Sequence, residues 1–219
     1  MTSSRKRAVV FISGGGSNMM ALVAAAKAKD FPAEIVGVIS DKADAGGLAK
    51  AAAEGIGTFA FPRKDYASKE AHEEAIFAAL DALSPDILCL AGYMRLLSGT
   101  FIQRYEGKMI NIHPSLLPLF PGLHTHQRAI DAGVRVAGCT VHFVTEGMDE
   151  GPIIGQAAVP VLSDDTADDL AARVLTVEHR IYPQALRLFA EGKVAMKDGK
   201  AVRTAEVSDT TATGSIISA

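Results

Sequence analysis

The sequence has only two cysteines, no surplus of basic residues and no long hydrophobic run, and each shortage excludes a class of protein. Cys89 and Cys139 lie far apart in apolar stretches, so they are interpreted as reduced core residues of a cytosolic protein. The 22 Lys and Arg residues against 25 Asp and Glu residues give a net charge of −3, which disfavours a protein that coats nucleic acid. The longest apolar stretch, residues 87–97, is broken by Gly92 and Arg95 and is too short to cross a bilayer. We therefore expect a cytoplasmic protein with neither a nucleic-acid nor a membrane partner.

We also expect no cleavable leader, and the sequence shows no internal repeat. Residues 1–7 carry basic side chains, but the apolar run after them is short and ends in three glycines without a small-residue cleavage site. The length of 219 residues fits one large domain better than two. We predict a single domain over residues 1–204 and a flexible tail over residues 205–219, because the tail is rich in Ser, Thr and Ala.

What the sequence does contain is a regular alternation of short apolar runs with Ala- and Leu-rich segments. The apolar runs are rich in β-branched residues, as strands buried on both faces of a parallel sheet are. The predicted strands are residues 8–13, 34–40, 58–61, 86–90 and 108–113. The predicted helices are residues 18–29, 47–54 and 68–83, and a helical turn is predicted over residues 101–105. This order predicts an α/β fold with a mostly parallel, twisted, Rossmann-like sheet and helices on both of its faces.

The pattern changes after the fifth predicted strand. Residues 114–125 contain three prolines and predict a stiff, irregular loop, which at this length is usually functional. Beyond it, the sequence predicts two strands of a long hairpin, a helix kinked at Pro183 and a second hairpin, over residues 138–144, 152–161, 166–191 and 193–204. The C-terminal portion is therefore expected to be antiparallel.

Ligands of open α/β sheets bind beyond the carboxyl ends of the strands, and a glycine loop, Ser13-Gly-Gly-Gly-Ser-Asn18, follows the first predicted strand. Backbone N–H groups at a helix N-terminus bind anions, and glycines let a phosphate approach the backbone. One alternative is a plain tight turn. Another is a dinucleotide-binding fingerprint with Gly14, Gly16 and Asp41, but its third glycine would fall on Met19, and the lysine of a P-loop is missing. We therefore favour a lone phosphate.

Asn111 and His113 lie two residues apart on the fifth predicted strand, so they share a face at its carboxyl end. Pro114 ends that strand and leaves the imidazole at the rim. A strand-end histidine bonded to nearby backbone is the alternative. Asp149, in a glycine-flanked link, could pair with His113 and favour its protonated form as a general acid or electrostatic stabiliser. Glu150 could take its place, or the link could be a solvated acidic turn; sequence spacing does not decide.

A metal site is not expected. His124 and His126 would place two imidazoles on one side of an extended segment, but the cysteines lack ligand spacing and no His-Glu helix motif is present. His142 lies in a predicted strand and is interpreted as a satisfied, half-buried residue rather than a ligand.

Residues 94–97, Met-Arg-Leu-Leu, follow the fourth predicted strand and combine apolar side chains with one cation. This combination suits a flat anionic molecule, and the alternative is a helix start with an exposed Arg95. Lys69 and Glu178 carry no signal of their own and by themselves would be surface charges.

Taken together, these motifs resemble the formyltetrahydrofolate-dependent formyltransferases. The resemblance rests on Asn111-Ile-His-Pro-Ser-Leu-Leu-Pro118, Pro121-Gly-Leu-His124, Val141-His-Phe-Val and Asp149-x-Gly-Pro152. It runs from about residue 8 to about residue 192. The glycine loop narrows it to members that act on glycinamide ribonucleotide.

The resemblance implies a role for each matching position. It makes Asn111, His113 and Asp149 the catalytic trio. The substrate-binding positions are Gly15, Gly16, Ser17, Asn18, Pro114 and Glu178. The cofactor-binding positions are Lys69, Met94, Arg95, Leu96, Leu97 and Asn111. Lys69 stands where relatives often have an arginine near the glutamate end of the folate, and a lysine offers a point charge rather than a bidentate fork.

The implied activity is transfer of a formyl group from 10-formyltetrahydrofolate, the co-substrate, to the amine of glycinamide ribonucleotide in purine biosynthesis. The amine attacks directly, through a tetrahedral intermediate and without a metal, and residues 1–204 form the catalytic domain. A hydrolase that releases formate from the same cofactor shares the trio but normally adds an N-terminal regulatory domain. A methionyl-tRNA formyltransferase usually adds an RNA-binding C-terminal domain. A nucleotide-binding regulatory module is the non-enzymatic alternative, and a homodimer is left open.

Overall fold

The computed structural model describes residues 4–204, 210–212 and 215–218 of the chain. The chain divides into two compact units, unit 1 (Met1–Ile110) and unit 2 (Asn111–Ala219). The sequence analysis predicts one catalytic domain over residues 1–204, and this remains a prediction.

Unit 1 alternates strands and helices in the predicted order. Its elements are β1 (Lys6–Ile12), α1 (Ser17–Ala26), β2 (Ala33–Ser40), α2 (Gly46–Ala53), β3 (Thr58–Ala60), a 3-10 turn (Arg63–Asp65), α3 (Lys69–Leu83), β4 (Ile87–Leu90) and α4 (Gly99–Arg104). The 3-10 turn is the element of this unit that the sequence pattern does not predict.

The strands of unit 1 run parallel. β1 pairs with β2 on one side and with β4 on the other, and β2 pairs with β3. Residues 8–12 of β1 have no exposed surface, which confirms that this strand is buried on both faces. Because parallel strands end at the same edge of a sheet, Ser13 after β1 and Asp41 after β2 lie at one edge.

Unit 2 is entered along β5 (Met109–His113), which begins at the end of unit 1. Its further elements are α5 (Thr125–Asp131), β6 (Val136–Phe143), β7 (Ile153–Pro160), α6 (Ala167–Ala190), β8 (Val194–Lys197), β9 (Lys200–Arg203), β10 (Thr210–Ala212) and β11 (Ser215–Ser218).

The pairings among β6 to β11 are antiparallel, as predicted for the C-terminal portion. β6 and β7 form the long hairpin, with a register shift between Val141 and His142, and β11 pairs with β7. β8 and β9 form the second hairpin. Its turn residues Asp198 and Gly199 have φ of 49° and 69°, the positive values that a tight hairpin turn requires.

The long helix α6 begins with the capping box that the sequence predicts. The Thr166 hydroxyl accepts from the Asp169 N–H, and the Asp169 carboxylate accepts from the Thr166 N–H. The helix continues through Pro183 to Ala190, and the predicted kink stays a prediction. In the part of the chain that the structure describes, no helix combines the length and apolar character that crossing a membrane requires.

Two parts of unit 2 differ from the sequence pattern. α5 has no predicted counterpart because it lacks a start signal: its N-cap, His124, has a φ of 57° and makes no side-chain capping bond. The second is the tail predicted to be flexible over residues 205–219, in which residues 205–209, 213–214 and 219 lie outside the described residues. The described tail residues form β10 and β11, which the sequence analysis does not identify as strands. The flexible tail stays a prediction.

Candidate active site

In unit 2, β5 ends at His113, and both ring nitrogens of this histidine face an oxygen atom. Nδ1 lies 3.3 Å from Asp149 Oδ2, and Nε2 lies 3.1 Å from the Phe120 carbonyl oxygen. A carboxylate and a carbonyl oxygen only accept hydrogen bonds, so both are satisfied when both ring nitrogens donate. The surroundings of His113 therefore offer one acceptor to each ring nitrogen, and the acceptor beside Nδ1 is the Asp149 carboxylate.

Asp149 reaches His113 from the link between β6 and β7. Its φ of 59° is in the left-handed region, which Asp tolerates better than most residues. Its Oδ2 atom also accepts a 2.8 Å hydrogen bond from the Gly122 N–H. Glu150 is exposed. Of the two carboxylates that the sequence leaves open, Asp149 is the one that faces His113.

His142 is the neighbour of the trio that the sequence interpretation misses. It is not half-buried but 2% exposed, and its Nδ1 lies 2.8 Å from the Phe143 carbonyl oxygen. Burial lowers the pKa of His142 below its usual 6.5, although the nearby Asp149 carboxylate opposes this effect. The ring is therefore neutral near pH 7, with its proton on Nδ1, since the carbonyl can only accept.

A neutral His142 fixes the orientation of Asn111. His142 Nε2 lies 3.1 Å from Asn111 Nδ2 and, without a proton, accepts a hydrogen bond from that amide. The bond holds the NH2 group rather than the oxygen of Asn111 toward His142 and leaves the second N–H of that group to donate elsewhere. The register shift of the hairpin directs His142 to this position, and a β-bulge gives no recognisable sequence signal.

In unit 1, the glycine loop (residues 13–18) turns sharply into α1. Gly16 is the N-cap of α1, with φ 69° and ψ 34°. A Cβ atom on Gly16 would lie 2.9 Å from Met19 Cε and 3.0 Å from Gly47 Cα, so a side chain has no room there. Met19 itself is fully buried. The position where a dinucleotide fingerprint needs a glycine is filled by a core side chain.

The carbonyl groups of the glycine loop are engaged by α2. The Gly47 N–H donates to Gly14 O at 3.0 Å, and Lys50 Nζ donates to Gly15 O at 2.8 Å. Apart from their immediate chain neighbours, no atom of the described residues lies within 4 Å of where a Cβ of Gly14 or Gly15 would project. With the carbonyls held by α2, the loop and the start of α1 offer N–H groups to an anion. Gly47 is a supporting residue that the sequence analysis does not single out, and its only signal is the Gly46-Gly47 pair that opens α2.

Residues 94–97, predicted to contact a cofactor, follow β4 without regular secondary structure, so they are not the helix start of the alternative interpretation. Met94 and Leu96 are 62% and 74% exposed. Exposed apolar side chains on an irregular segment are typical of a ligand-contacting surface. Lys69 is the first residue of α3 and is half-buried.

Comparison with known proteins gives the family. Residues 6–186 match the family model described as formyl transferase. The chain belongs to the formyl transferase family. It is 45% identical over 193 residues to the phosphoribosylglycinamide formyltransferase of Escherichia coli K12, covering 88% of this chain and 91% of the relative. It is 50% identical over 192 residues to the trifunctional purine biosynthetic protein adenosine-3 of Bos taurus, covering 88% of this chain but 19% of the bovine protein.

A solved structure with the same fold is that of phosphoribosylglycinamide formyltransferase from Brucella melitensis. It has a TM-score of 0.83 and 73% sequence identity, and the match covers 85% of this chain and 96% of that one. The fold class and the formyltransferase resemblance inferred from the sequence are thereby confirmed. The chain is an enzyme of the formyltransferase class.

Two further predicted binding positions of this formyltransferase, Pro114 and Glu178, lie in unit 2. Pro114 follows His113 directly, and the Ser115 N–H donates to the His113 carbonyl at 2.9 Å. Glu178 is not the surface charge that its residue type alone suggests, because it lies on α6 and is only 6% exposed. Burial raises the pKa of Cys139 well above its usual value, and the Glu178 carboxylate adds to that increase.

The two histidines of the metal alternative do not act as a pair in this formyltransferase. His124 precedes α5 and His126 lies inside it, so the extended segment that would align their rings is absent. Within residues 4–204, whose side chains the structure describes, no group of three His, Cys, Asp or Glu side chains could hold a metal ion.

The lowered pKa of His142 makes a prediction about the stability of the formyltransferase. The folded state keeps this ring neutral while the unfolded chain protonates it below about pH 6.5, so the unfolded state binds more protons and the free energy of unfolding falls as the pH drops. His126 and His179 act in the same direction, because burial lowers their pKa values too. Each histidine contributes at most about 1.4 kcal/mol per pH unit.

We expect the His142→Gln variant to have a shallower decrease in stability between pH 7.5 and 5.5, as measured by urea unfolding. His124→Gln is the matched control, because His124 is exposed. An equal slope for the wild type and His142→Gln would contradict the neutral, buried state of His142.

Proposed function

We propose that this formyltransferase transfers the formyl group of 10-formyltetrahydrofolate to the amine of glycinamide ribonucleotide, a step of purine biosynthesis. The proposal rests on His113 paired with Asp149 at 3.3 Å, beside an Asn111 amide that is oriented by His142. The relatives named phosphoribosylglycinamide formyltransferase support this choice of substrate.

The trio stabilises the charge that develops on the transferred group. The neutral amine attacks the formyl carbon, and the carbonyl oxygen becomes an oxyanion in the tetrahedral intermediate. The free N–H of Asn111 and the imidazolium of His113 donate to this oxygen, and such preoriented donors stabilise the transition state most where charge appears. For Nε2 of His113 to donate, the Phe120 carbonyl that it now contacts at 3.1 Å has to give way to the substrate oxygen.

The same reaction moves one proton. The attacking amine loses a proton when its bond to the formyl carbon forms, and N10 of the folate gains one when the bond between that carbon and N10 breaks. Asp149, whose Oδ2 lies 3.3 Å from His113 Nδ1, helps to relay the proton between the two nitrogens, through water where the distance requires it. Atoms and charges balance without an acyl-enzyme, and the chemistry calls for no metal.

Binding the two substrates supplies the orientation that a bimolecular reaction needs. The glycine loop holds the phosphate of the ribonucleotide. The remaining binding positions are Pro114 and Glu178 for the ribonucleotide and Lys69, Met94, Arg95, Leu96, Leu97 and Asn111 for the folate. Cys89 and Cys139 are buried and form no disulfide with each other, and reduced cysteines support a cytoplasmic enzyme. We propose no nucleic-acid or membrane partner, and a homodimer is compatible with this function.

A two-substrate turnover assay tests the proposal. We expect tetrahydrofolate to be released only when both 10-formyltetrahydrofolate and glycinamide ribonucleotide are present, with one formylated ribonucleotide made per folate released. Omitting the ribonucleotide is the control. Release without the ribonucleotide would instead indicate a formate-releasing hydrolase. Tight nucleotide binding that survives His113→Ala, without turnover by the wild type, would indicate a regulatory module.

A further inference from the structure

Asp41 has no part in the proposed formyl-transfer chemistry, yet it is a buried carboxylate at the edge of the unit 1 sheet. It follows β2 and is 7% exposed. Its Oδ1 accepts a 2.5 Å hydrogen bond from the Ser13 hydroxyl, and its Oδ2 lies 3.2 Å from Arg95 Nε. A buried charge is costly unless it is paired and hydrogen-bonded, and both of its oxygens have such a partner here.

The two partners of Asp41 belong to different binding segments. Ser13 is the first residue of the glycine loop, which is proposed to hold the phosphate. Arg95 lies in residues 94–97, which are proposed to contact the folate. One carboxylate therefore joins the start of one binding segment to the middle of the other.

Ser13 reinforces this connection. Its hydroxyl oxygen accepts a 2.8 Å hydrogen bond from the Met94 N–H, and its own N–H donates to the Gly92 carbonyl at 3.1 Å. The serine hydroxyl thus donates to Asp41 and accepts from Met94 at the same time. A hydroxyl can do both, which makes it a suitable link between a carboxylate and a backbone N–H.

The folate segment needs such restraints, because helix or strand bonds do not supply them. Residues 94–97 have no regular secondary structure. After them, the Ser98 N–H donates to the Glu73 carboxylate at 2.8 Å, which ties the far end of the segment to α3. The near end is held by Ser13 and Asp41. The position of the segment is therefore set by buried carboxylates at both ends.

We propose that Asp41 is a positioning residue that sets the folate-contacting segment against the phosphate-binding glycine loop. This inference rests on the proposed function, since it assumes that both segments bind their substrates. Asp41 bonds Arg95 through Nε and so leaves the two terminal nitrogens of the guanidinium for an anionic group of the folate. Its own oxygens are taken by protein donors, which argues against the ribose-binding role of an acidic residue in a dinucleotide fingerprint.

The Asp41→Asn variant removes the negative charge of the side chain and keeps its shape. Its amide oxygen can still accept from the Ser13 hydroxyl, but the ion pair with Arg95 is lost. We expect KM for 10-formyltetrahydrofolate to rise about tenfold, and kcat and KM for the ribonucleotide to change by less than about twofold, as loss of one charge-assisted hydrogen bond predicts. Ser13→Ala, which removes both hydroxyl bonds, is expected to raise both KM values. Asp44→Asn is the matched control, because this nearby aspartate is exposed.

A binding measurement and a double variant keep the test independent of turnover and of folding. The dissociation constant of the unreactive analogue 5,8-dideazafolate, measured by calorimetry, is expected to rise about tenfold in Asp41→Asn. In an Arg95→Gln background the same change is expected to have less than about a twofold effect, because the partner is already gone. Thermal unfolding identifies any variant that fails to fold. If Asp41→Asn fails to fold, the analogue affinity of Arg95→Gln is compared with that of the wild type instead, because the Arg95 side chain is 41% exposed.

The outcomes for this inference and for the proposed function are distinct. No turnover by the wild type with both substrates would reject the proposed function. Normal wild-type turnover with unchanged folate KM and analogue affinity in Asp41→Asn would reject the positioning role alone. An equal loss in the two backgrounds would also reject it, because Asp41 would then act without Arg95.

Discussion

The Asn111→Ala variant is expected to lose on the order of 10²- to 10³-fold in kcat, the typical cost of removing one oxyanion donor. The loss follows from the geometry at His142. Because its neutral ring accepts from Asn111 Nδ2 at 3.1 Å, the amide presents an N–H rather than an oxygen to the developing negative charge. Steady-state kinetics with both substrates saturating measures the change in kcat.

Asn111→Asp is the matched variant for this prediction. It keeps the size and shape of the side chain, but an ionised carboxylate only accepts hydrogen bonds and would repel the oxyanion. We expect it to be at least as impaired as Asn111→Ala. A rate near that of the wild type in either variant, with thermal unfolding unchanged, would show that Asn111 is not the donor.

Much of the fold and part of the site could be predicted because the signals are local. The continuous apolar runs of unit 1 are long enough to identify each buried strand, and the residues directly after a parallel strand lie at the ligand-binding edge. This rule found the glycine loop after β1 and the pair Asn111 and His113 at the end of β5. Asp149 could be named as a partner only together with Glu150, since one residue of difference in a loop decides which carboxylate points inward.

The remaining features depend on contacts between distant segments. His142 contacts Asn111 because of a register shift in the hairpin of β6 and β7, which has no sequence signal. The dinucleotide alternative makes Asp41 a ribose ligand, but Asp41 instead pairs with Ser13 and Arg95, which follow two other strands. Such polar networks form only after the sheet has assembled, so the spacing of the residues along the chain does not reveal them.

The loop between β5 and α5 contacts two of the three proposed catalytic side chains through its backbone. Within unit 2, the carbonyl of Phe120 faces His113 and the N–H of Gly122 donates to Asp149. Backbone groups of one loop therefore contact both His113 and Asp149. When a substrate oxygen replaces the Phe120 carbonyl, the bond from Gly122 can remain and hold the carboxylate in place.

The Asp149→Asn variant is expected to lose on the order of 10²-fold or more in kcat, within the range that general acid–base groups contribute. One oxygen, Oδ2, serves both His113 and Gly122, so the single oxygen of an asparagine can keep both contacts. Asparagine also tolerates the left-handed backbone at this position, where φ is 59°. The variant therefore removes the negative charge and little else.

Steady-state kcat with both substrates saturating measures this loss. Glu150→Gln is the matched control, because it also removes a negative charge from the same link but Glu150 is exposed. We expect Glu150→Gln to keep a rate near that of the wild type. An equally small effect in Asp149→Asn, with thermal unfolding unchanged, would show that the carboxylate beside His113 does not contribute to the reaction, and the proton between the two nitrogens would then have to move without it.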